Sequence, residues 1–283
     1  MLPSQPSRTL LVPTVARAAH QLFDAPLILD DPIVVDLVPE TSRAVLLDAA
    51  EKHRTEAANL FRSLFTLRSR FAEDRLEAAA ARGVCQYVML GAGLETFPWR
   101  QPEYARGMRV FFSDHPSTLV WARARFRERR LSVPSNLAFV PADLEEEGLG
   151  QRLASAGFSP EVPTFVSVMG VTQYLTGRAV DALLAFFALL HPGSEAVFSF
   201  VVNDDELRGL DLAEVHASVE RGDDFGEPWL TRFEPTAMIE HVRRFGFRDI
   251  FYLGPELAQR LYFAGRRDRL AAPRRERLVA ATV

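Results

Sequence analysis

From Gly83 onward, short apolar runs alternate with stretches of helical periodicity. The runs are Tyr87–Leu90, Arg109–Ser113, Leu137–Val140, Thr164–Val168 and Ala196–Val202; helical patterns lie between them at 117–131, 144–156 and 178–190. Parallel strands are covered by helices on both faces, so they read as near-continuous apolar runs rather than alternating ones. Strands alternating with helices imply βαβ units and a doubly wound sheet. The end of the pattern differs. Thr236–Phe245 reads as a helix closed by Gly246, followed by strands at Phe247–Leu253 and Arg260–Ala264. A parallel pair needs a long crossover, so two strands this close should pair antiparallel. The expected fold is α/β: a mostly parallel sheet of seven strands, closed by an antiparallel one.

Upstream of Gly83 the texture is helical. Residues 1–8 are rich in Pro and Ser and read as loose. Thr9–Phe23 has helical spacing, Leu27–Pro32 is an extended or turn segment, and 43–82 contains neither Pro nor Gly and is rich in Ala, Leu, Glu and Arg. Such a composition favours helices. The organisation expected is a helical cap over 1–82, the sheet domain over 83–265 and a solvated tail over 266–283. Residues 203–234 form a long polar insertion, and long connections in compact domains are usually lids or binding loops.

Composition narrows the function classes. The chain has 283 residues, 48% of them hydrophobic, and a formal net charge of −4. An acidic balance argues against nucleic acid as the main partner, because phosphate binding wants a basic field. The single cysteine, Cys85, excludes an intrachain disulfide and makes a zinc cluster implausible; it reads as a packed thiol. The apolar window Leu183–Val202 is broken by His191-Pro-Gly-Ser-Glu195, so it reads as helix, turn and strand rather than a membrane span. With no signal-peptide pattern at the start, a soluble cytoplasmic protein is expected.

Ligands of open α/β sheets bind at the carboxyl ends of the strands, near the topological switch point. The first strand delivers Gly91-Ala92-Gly93, where glycine permits positive φ and close approach of a ligand to the backbone. Leu94-Glu95-Thr96 follows, so the third glycine of a dinucleotide fingerprint is missing. The second strand ends in Ser113-Asp114-His115, with Asp114 placed 23 residues past Gly91 (114 − 91). An acid at that distance can accept both ribose hydroxyls of a nucleoside; the competing role is a helix N-cap ahead of Pro116. The third strand ends in Pro141-Ala-Asp143-Leu144. Asp143 can receive an adenine amine, cap the next helix, or both. A glycine turn and two acids at successive strand ends together point to an adenosine ligand.

The layout of strand–helix units, one more helix and a closing hairpin resembles the class I methyltransferase fold. The segments RFAED (70–74), QYVMLGAGLETFPWR (86–100), SDHP (113–116), FVPADLE (139–145) and PTFVSVMGVTQYLT (163–176) resemble the leucine carboxyl methyltransferase family, in order, over roughly residues 9–202. This family includes a large bacterial branch of S-adenosylmethionine-dependent enzymes. The resemblance implies that S-adenosyl-L-methionine is held by Gly91, Ala92, Gly93, Asp114, His115, Asp143, Leu144 and Met169. It also implies that an arginine of the cap clamps the methionine carboxylate; Arg70 is the first choice, with Arg68 and Arg17 as alternatives. Two positions depart from the family pattern: Glu95 stands where Asp is usual, and Met169 stands where an acid near the methionyl part is usual.

Methyl transfer from a sulfonium asks for positioning and exclusion of water. A carboxylate acceptor needs no base, whereas an alcohol or phenol benefits from one. The six histidines are scattered, and His115 alone lies beside an expected ligand strand end, where a structural role competes with a functional one. Tyr174 can face the acceptor. Phe61, Phe65, Phe97, Trp99, Phe225 and Trp229 are candidates for an apolar acceptor pocket, with core packing as the alternative. The function expected is O-methylation of a carboxylate on a small or peptide-like molecule. The rivals are a non-catalytic member of the fold and a nicotinamide-dependent oxidoreductase, which would want a wholly parallel sheet and a third glycine.

Overall fold

The computed structural model describes residues 10–40 and 55–283. Its sheet has seven strands in the order β3-β2-β1-β4-β5-β7-β6. These are β1 Gln86–Leu90, β2 Arg109–Asp114, β3 Leu137–Pro141, β4 Thr164–Val168, β5 Glu195–Val201, β6 Asp249–Leu253 and β7 Glu276–Thr282. Strands β1 to β5 pair in parallel. β7 lies antiparallel between β5 and β6. β1 sits between β2 and β4, so the order reverses there and opens a crevice at the strand ends. The antiparallel β7 departs from the wholly parallel nicotinamide-binding sheet.

The helices follow from the pattern. They are α1 Leu11–Phe23, α2 Ile33–Leu37, α3 Glu56–Ala81, α4 Phe97–Arg100, α5 Pro116–Glu128, α6 Leu149–Ser155, α7 Gly177–Ala188, α8 Gly209–Asp224, α9 Pro235–Arg244 and α10 Pro255–Ala258. Side chains alternate across a strand, so Tyr87 and Met89 of β1 enter one core while Val88 and Leu90 enter the other. The first core is closed by Leu67, Phe71 and Leu76 of α3. The second is closed by Val180, Leu183, Leu184 and Phe187 of α7. Thr55 starts α3 by accepting the Ala58 N–H at 3.2 Å, which satisfies one of the orphan donors of its first turn. Charge pins α3 to the far strands: Arg75 and Arg82 meet the buried Glu195 of β5, and Arg68 meets the buried Glu276 of β7. A buried carboxylate needs such partners.

Strand positions read from the sequence fall within a residue or so of those found for β1 to β5. Four expectations are corrected. Arg260–Ala264 is not a strand: Gln259–Phe263 is a widened helical turn continuing α10, with Phe263 buried and Leu261 exposed. The closing strand is β7, inside the segment expected to be a solvated tail. Its polar start conceals it, because Glu276 and Arg277 are buried against Arg68 and Glu206 rather than solvated. Cys85 is exposed, not packed. It lies ahead of β1, where its backbone pairs with Pro163 and Arg109. Helix α6 begins at Leu149 rather than 144, leaving Asp143 in a turn. The insertion at 203–234 carries α8. The expectations for residues 1–8 and for helix over 43–54 lie outside the described residues. Among the described residues no helix is long and apolar enough to cross a membrane, and the window Leu183–Val202 is the end of α7, a turn and β5.

Candidate active site

The carboxyl ends of β1, β2, β3 and β4 open into a cavity of about 670 Å³, roofed by α1, α3 and the segment that runs from the end of α8 through Leu230. Small-molecule sites typically occupy roughly 300–1,000 Å³. At its floor the chain leaves β1 with Gly91 at φ +65° and Gly93 at φ +56°. Both values are left-handed and favour glycine. A Cβ on Gly91 would meet Val171 Cγ2 at 2.2 Å, and one on Gly93 would meet Leu10 Cδ1 at 2.5 Å. Ala92 between them donates its N–H to Ser113 O at 3.1 Å, which locks the turn against β2.

Asp114 ends β2 beside this turn. Its Oδ2 accepts the Gly93 N–H and its Oδ1 the His115 N–H, each at 2.7 Å. Burial raises its pKa despite these bonds. The Thr118 side chain bonds the same carboxylate, which is therefore fixed in direction and forms no salt bridge among the described residues, leaving a lone pair for a hydroxyl donor at the cavity. It is not the N-cap of α5. That role falls to His115, whose Nδ1 accepts the Ser117 N–H at 3.3 Å. His115 Nε2 lies 3.8 Å from Asp143 Oδ2. Asp143 Oδ1 accepts the Glu145 N–H at 2.9 Å, so it closes a local turn, while the N-cap of α6 is Gly148. Asp114, His115, Asp143 and Leu144 all line the cavity, together with Gly91, Ala92 and Gly93.

The cap arginines separate. Arg70 is half-exposed, pairs with Asp74 one turn along α3 at 2.8 Å, and is not at the cavity. The reason is helical phase: positions 68 and 72 face the cavity while 70 and 74 turn away. Arg17 and Arg68 do line it. Arg17 is bidentate to Glu95, at 2.9 and 2.8 Å, and also meets Asp31. Burial opposes its charge, but Glu95 and Asp31 outweigh that and raise its pKa. Arg68 gives Nε and Nη2 to Glu276, the former at 2.8 Å. Its Nη1 edge lies on Gly170, where an added Cβ would come within 2.2 Å.

Beyond β4, Met169 lines the cavity and packs against the first core. Gln173 donates its amide to Gly170 O at 2.9 Å, which turns the buried Oε1 away with no hydrogen-bond partner among the described residues. Tyr174 stands edge-on to Trp229, ring centroids 6.4 Å apart. Five of the six aromatic candidates line the cavity: Phe61, Phe65, Phe97, Phe225 and Trp229. Trp99 does not; it lies 4.1 Å from Phe126 in the core. Reading strand ends missed Gln173, Gly170 and Arg275. Gly170 follows Met169 and could have been found by asking the glycine question at β4. Arg275 had no signal, because β7 itself was not read as a strand.

A family model for leucine carboxyl methyltransferases matches residues 10–188. The chain belongs to the leucine carboxyl methyltransferase family. Within the family's reach it is 29% identical over 296 aligned residues to YktD of Bacillus subtilis, covering 96% of each chain. It is 30% identical to Rv1896c of Mycobacterium tuberculosis, over 82% of this chain and 76% of that one. Both relatives are named for S-adenosyl-L-methionine-dependent methyl transfer. The fold is shared with a Thermobifida fusca protein titled as a methyltransferase, at 19% identity and a TM-score of 0.58, covering 99% of this chain and 96% of that one. A Streptomyces avermitilis duf574 family protein gives 14% identity and 0.56, covering 100% and 99%.

Proposed function

We infer that this S-adenosyl-L-methionine-dependent methyltransferase transfers the methyl group to a carboxylate oxygen of a small or peptide-like acid with an apolar body. The residues present fit the cofactor. The Gly91–Gly93 turn lines the cavity with left-handed backbone that carries no side chain, and Asp114 offers an oriented carboxylate with no salt bridge among the described residues. In this reading Asp114 takes the ribose hydroxyls, and Asp143 with Leu144 meets the adenine edge. Arg68, rather than Arg70, takes the methionine carboxylate through its Nη1 edge, which lies on Gly170. Gln173 Oε1 takes the ammonium, replacing the acid whose place Met169 fills.

The acceptor class rests on one observation above the others. His115 is the one histidine among the described residues lining the cavity, and its Nδ1 is committed to capping α5. A group tied in that way is poorly placed as a general base, and a carboxylate needs none. Held by Asp114, Arg68 and Gln173, the cofactor would supply a sulfonium methyl to an acceptor oxygen, and a carboxylate acceptor would require no side chain to move a proton. The protein's part is to align the two and keep water out. The roof of α1 and α3, with Phe225 and Trp229 beyond α8, does the second task.

The test is transfer of labelled methyl from S-adenosyl-L-methionine to a panel of apolar carboxylic acids, followed by mild alkali. Methyl esters release volatile labelled methanol, and that is the expected result. Label retained in an alkali-stable product would place the methyl on a hydroxyl or an amine instead.

A further inference from the structure

The cavity has an aromatic half that the cofactor residues do not account for. Arg275, the residue before β7, lines it and is only 3% exposed. Its guanidinium lies 5.2 Å from the Phe61 ring and 5.5 Å from the Trp229 ring. Nη1 reaches Ser218 Oγ at 3.2 Å, while Nε has no partner among the described residues. The nearby carboxylates are engaged elsewhere: Glu276 by Arg68, and Glu214 lies by Arg221. Burial pushes the Arg275 guanidinium down to about 10, with Glu276 opposing and Arg68 adding to the fall. It remains charged at neutral pH. A buried cation with no salt bridge of its own among the described residues is costly, and the fold keeps this one at the wall of a cavity.

Position separates it from the adenosine half. Arg275 precedes Glu276, which pairs with Val201 at the carboxyl end of β5. Arg275 therefore stands on the same rim as Gly91, with β4 and β5 between β1 and β7. Three strand spacings of about 4.8 Å put it roughly 14 Å from β1, on the side of β4 away from Asp114. Arg68, at Gly170, lies between the two halves.

We propose that Arg275 is the acceptor-binding residue, its guanidinium gripping the carboxylate of a hydrophobic acid whose body lies against Phe61, Tyr174 and Trp229. The proposal rests on the reading of the chain as a carboxyl-directed methyltransferase. A guanidinium fork holds a carboxylate through two N–H bonds. Methylation neutralises that carboxylate, so the ester loses the charge that held it and leaves. The same residue thus selects the substrate and releases the product.

The experiment is calorimetric titration of the protein, saturated with S-adenosylhomocysteine, with decanoate, 3-phenylpropionate and indole-3-acetate, and with their methyl esters and primary amides. At least one acid should bind, and its ester and amide should bind at least tenfold more weakly. Arg275→Gln should weaken the acid about ten- to a hundredfold and leave S-adenosylhomocysteine affinity within twofold. Arg275→Met, which removes a buried charge with no salt bridge among the described residues, should hold or raise Tm, the opposite of a structural arginine. Acids and esters binding alike, no acid-selective binding across the panel, or undiminished acid binding by Arg275→Gln would overturn the proposal. So would parallel loss of S-adenosylhomocysteine binding, which would assign Arg275 to the cofactor. An acid bound through Arg275 but never methylated leaves the subsite standing and removes carboxyl transfer. Ester formed equally fast by Arg275→Gln does the reverse.

Discussion

Arg17 of α1 holds Glu95, in the turn after β1, through two hydrogen bonds of 2.9 and 2.8 Å. Ser69 of α3 adds a third to the same carboxylate at 3.1 Å. Burial works against the charge on Glu95, but Arg17 and Arg100 outweigh it and hold its pKa below the ordinary range. The helical roof is thereby tied by charge to the glycine turn.

Glu95→Gln should therefore cost about 1.5–3 kcal/mol of stability, the loss of charged hydrogen bonds, because Arg17 keeps Asp31 as a partner. Urea unfolding followed by circular dichroism measures it. Stability unchanged within error would show that the pair does not tie roof to floor.

The two glycines of the turn should differ in their tolerance of alanine. Both have left-handed φ, which costs an alanine on the order of 1–2 kcal/mol. The added methyl meets the branched Val171 at 2.2 Å in Gly91→Ala but the tip of the flexible Leu10 at 2.5 Å in Gly93→Ala. Thermal unfolding should rank Gly91→Ala below Gly93→Ala. The reverse order would contradict the close approach of Val171.

Glu276 carries a pH signature. Burial would raise its pKa, yet Arg68 more than offsets this and holds it low. A carboxyl lowered on folding contributes stability that is complete above its unfolded value, about 4.3, and lost as pH falls through the folded value. The Tm gap between the wild type and Glu276→Gln should be widest near pH 7 and narrow below about pH 4. A gap independent of pH would mean the Arg68 pair is electrostatically idle.

β7 is buried on both faces between β5 and β6. Truncation after Arg274 removes it and leaves two open strand edges, which are sites of aggregation. The shortened chain should lose cooperative unfolding in calorimetry. A truncated protein that still melts cooperatively would contradict a central role for β7.

The first five strands were legible because a strand covered on both faces is written as an unbroken apolar run. The glycine turn, Asp114 and Asp143 were legible because each follows directly from such a run. β7 was not: its polar start is buried only because Arg68 and Glu206 lie 208 and 71 residues away in sequence (276 − 68 and 277 − 206). Arg70 was favoured over Arg68 for want of helical phase, since the sequence does not say which side of α3 meets the strand ends. Arg275 needed both facts at once, the strand and its place in the sheet order.

The most direct test of the account is calorimetric binding of S-adenosylhomocysteine to the wild type and to Asp114→Ala. Loss of a charged contact to the ribose should weaken binding by roughly 1.5–3 kcal/mol, about ten- to a hundredfold, with Tm little lowered. Equal affinity in the two proteins, or no binding by the wild type at millimolar concentration, would contradict the seating of an adenosyl group on the turn after β1.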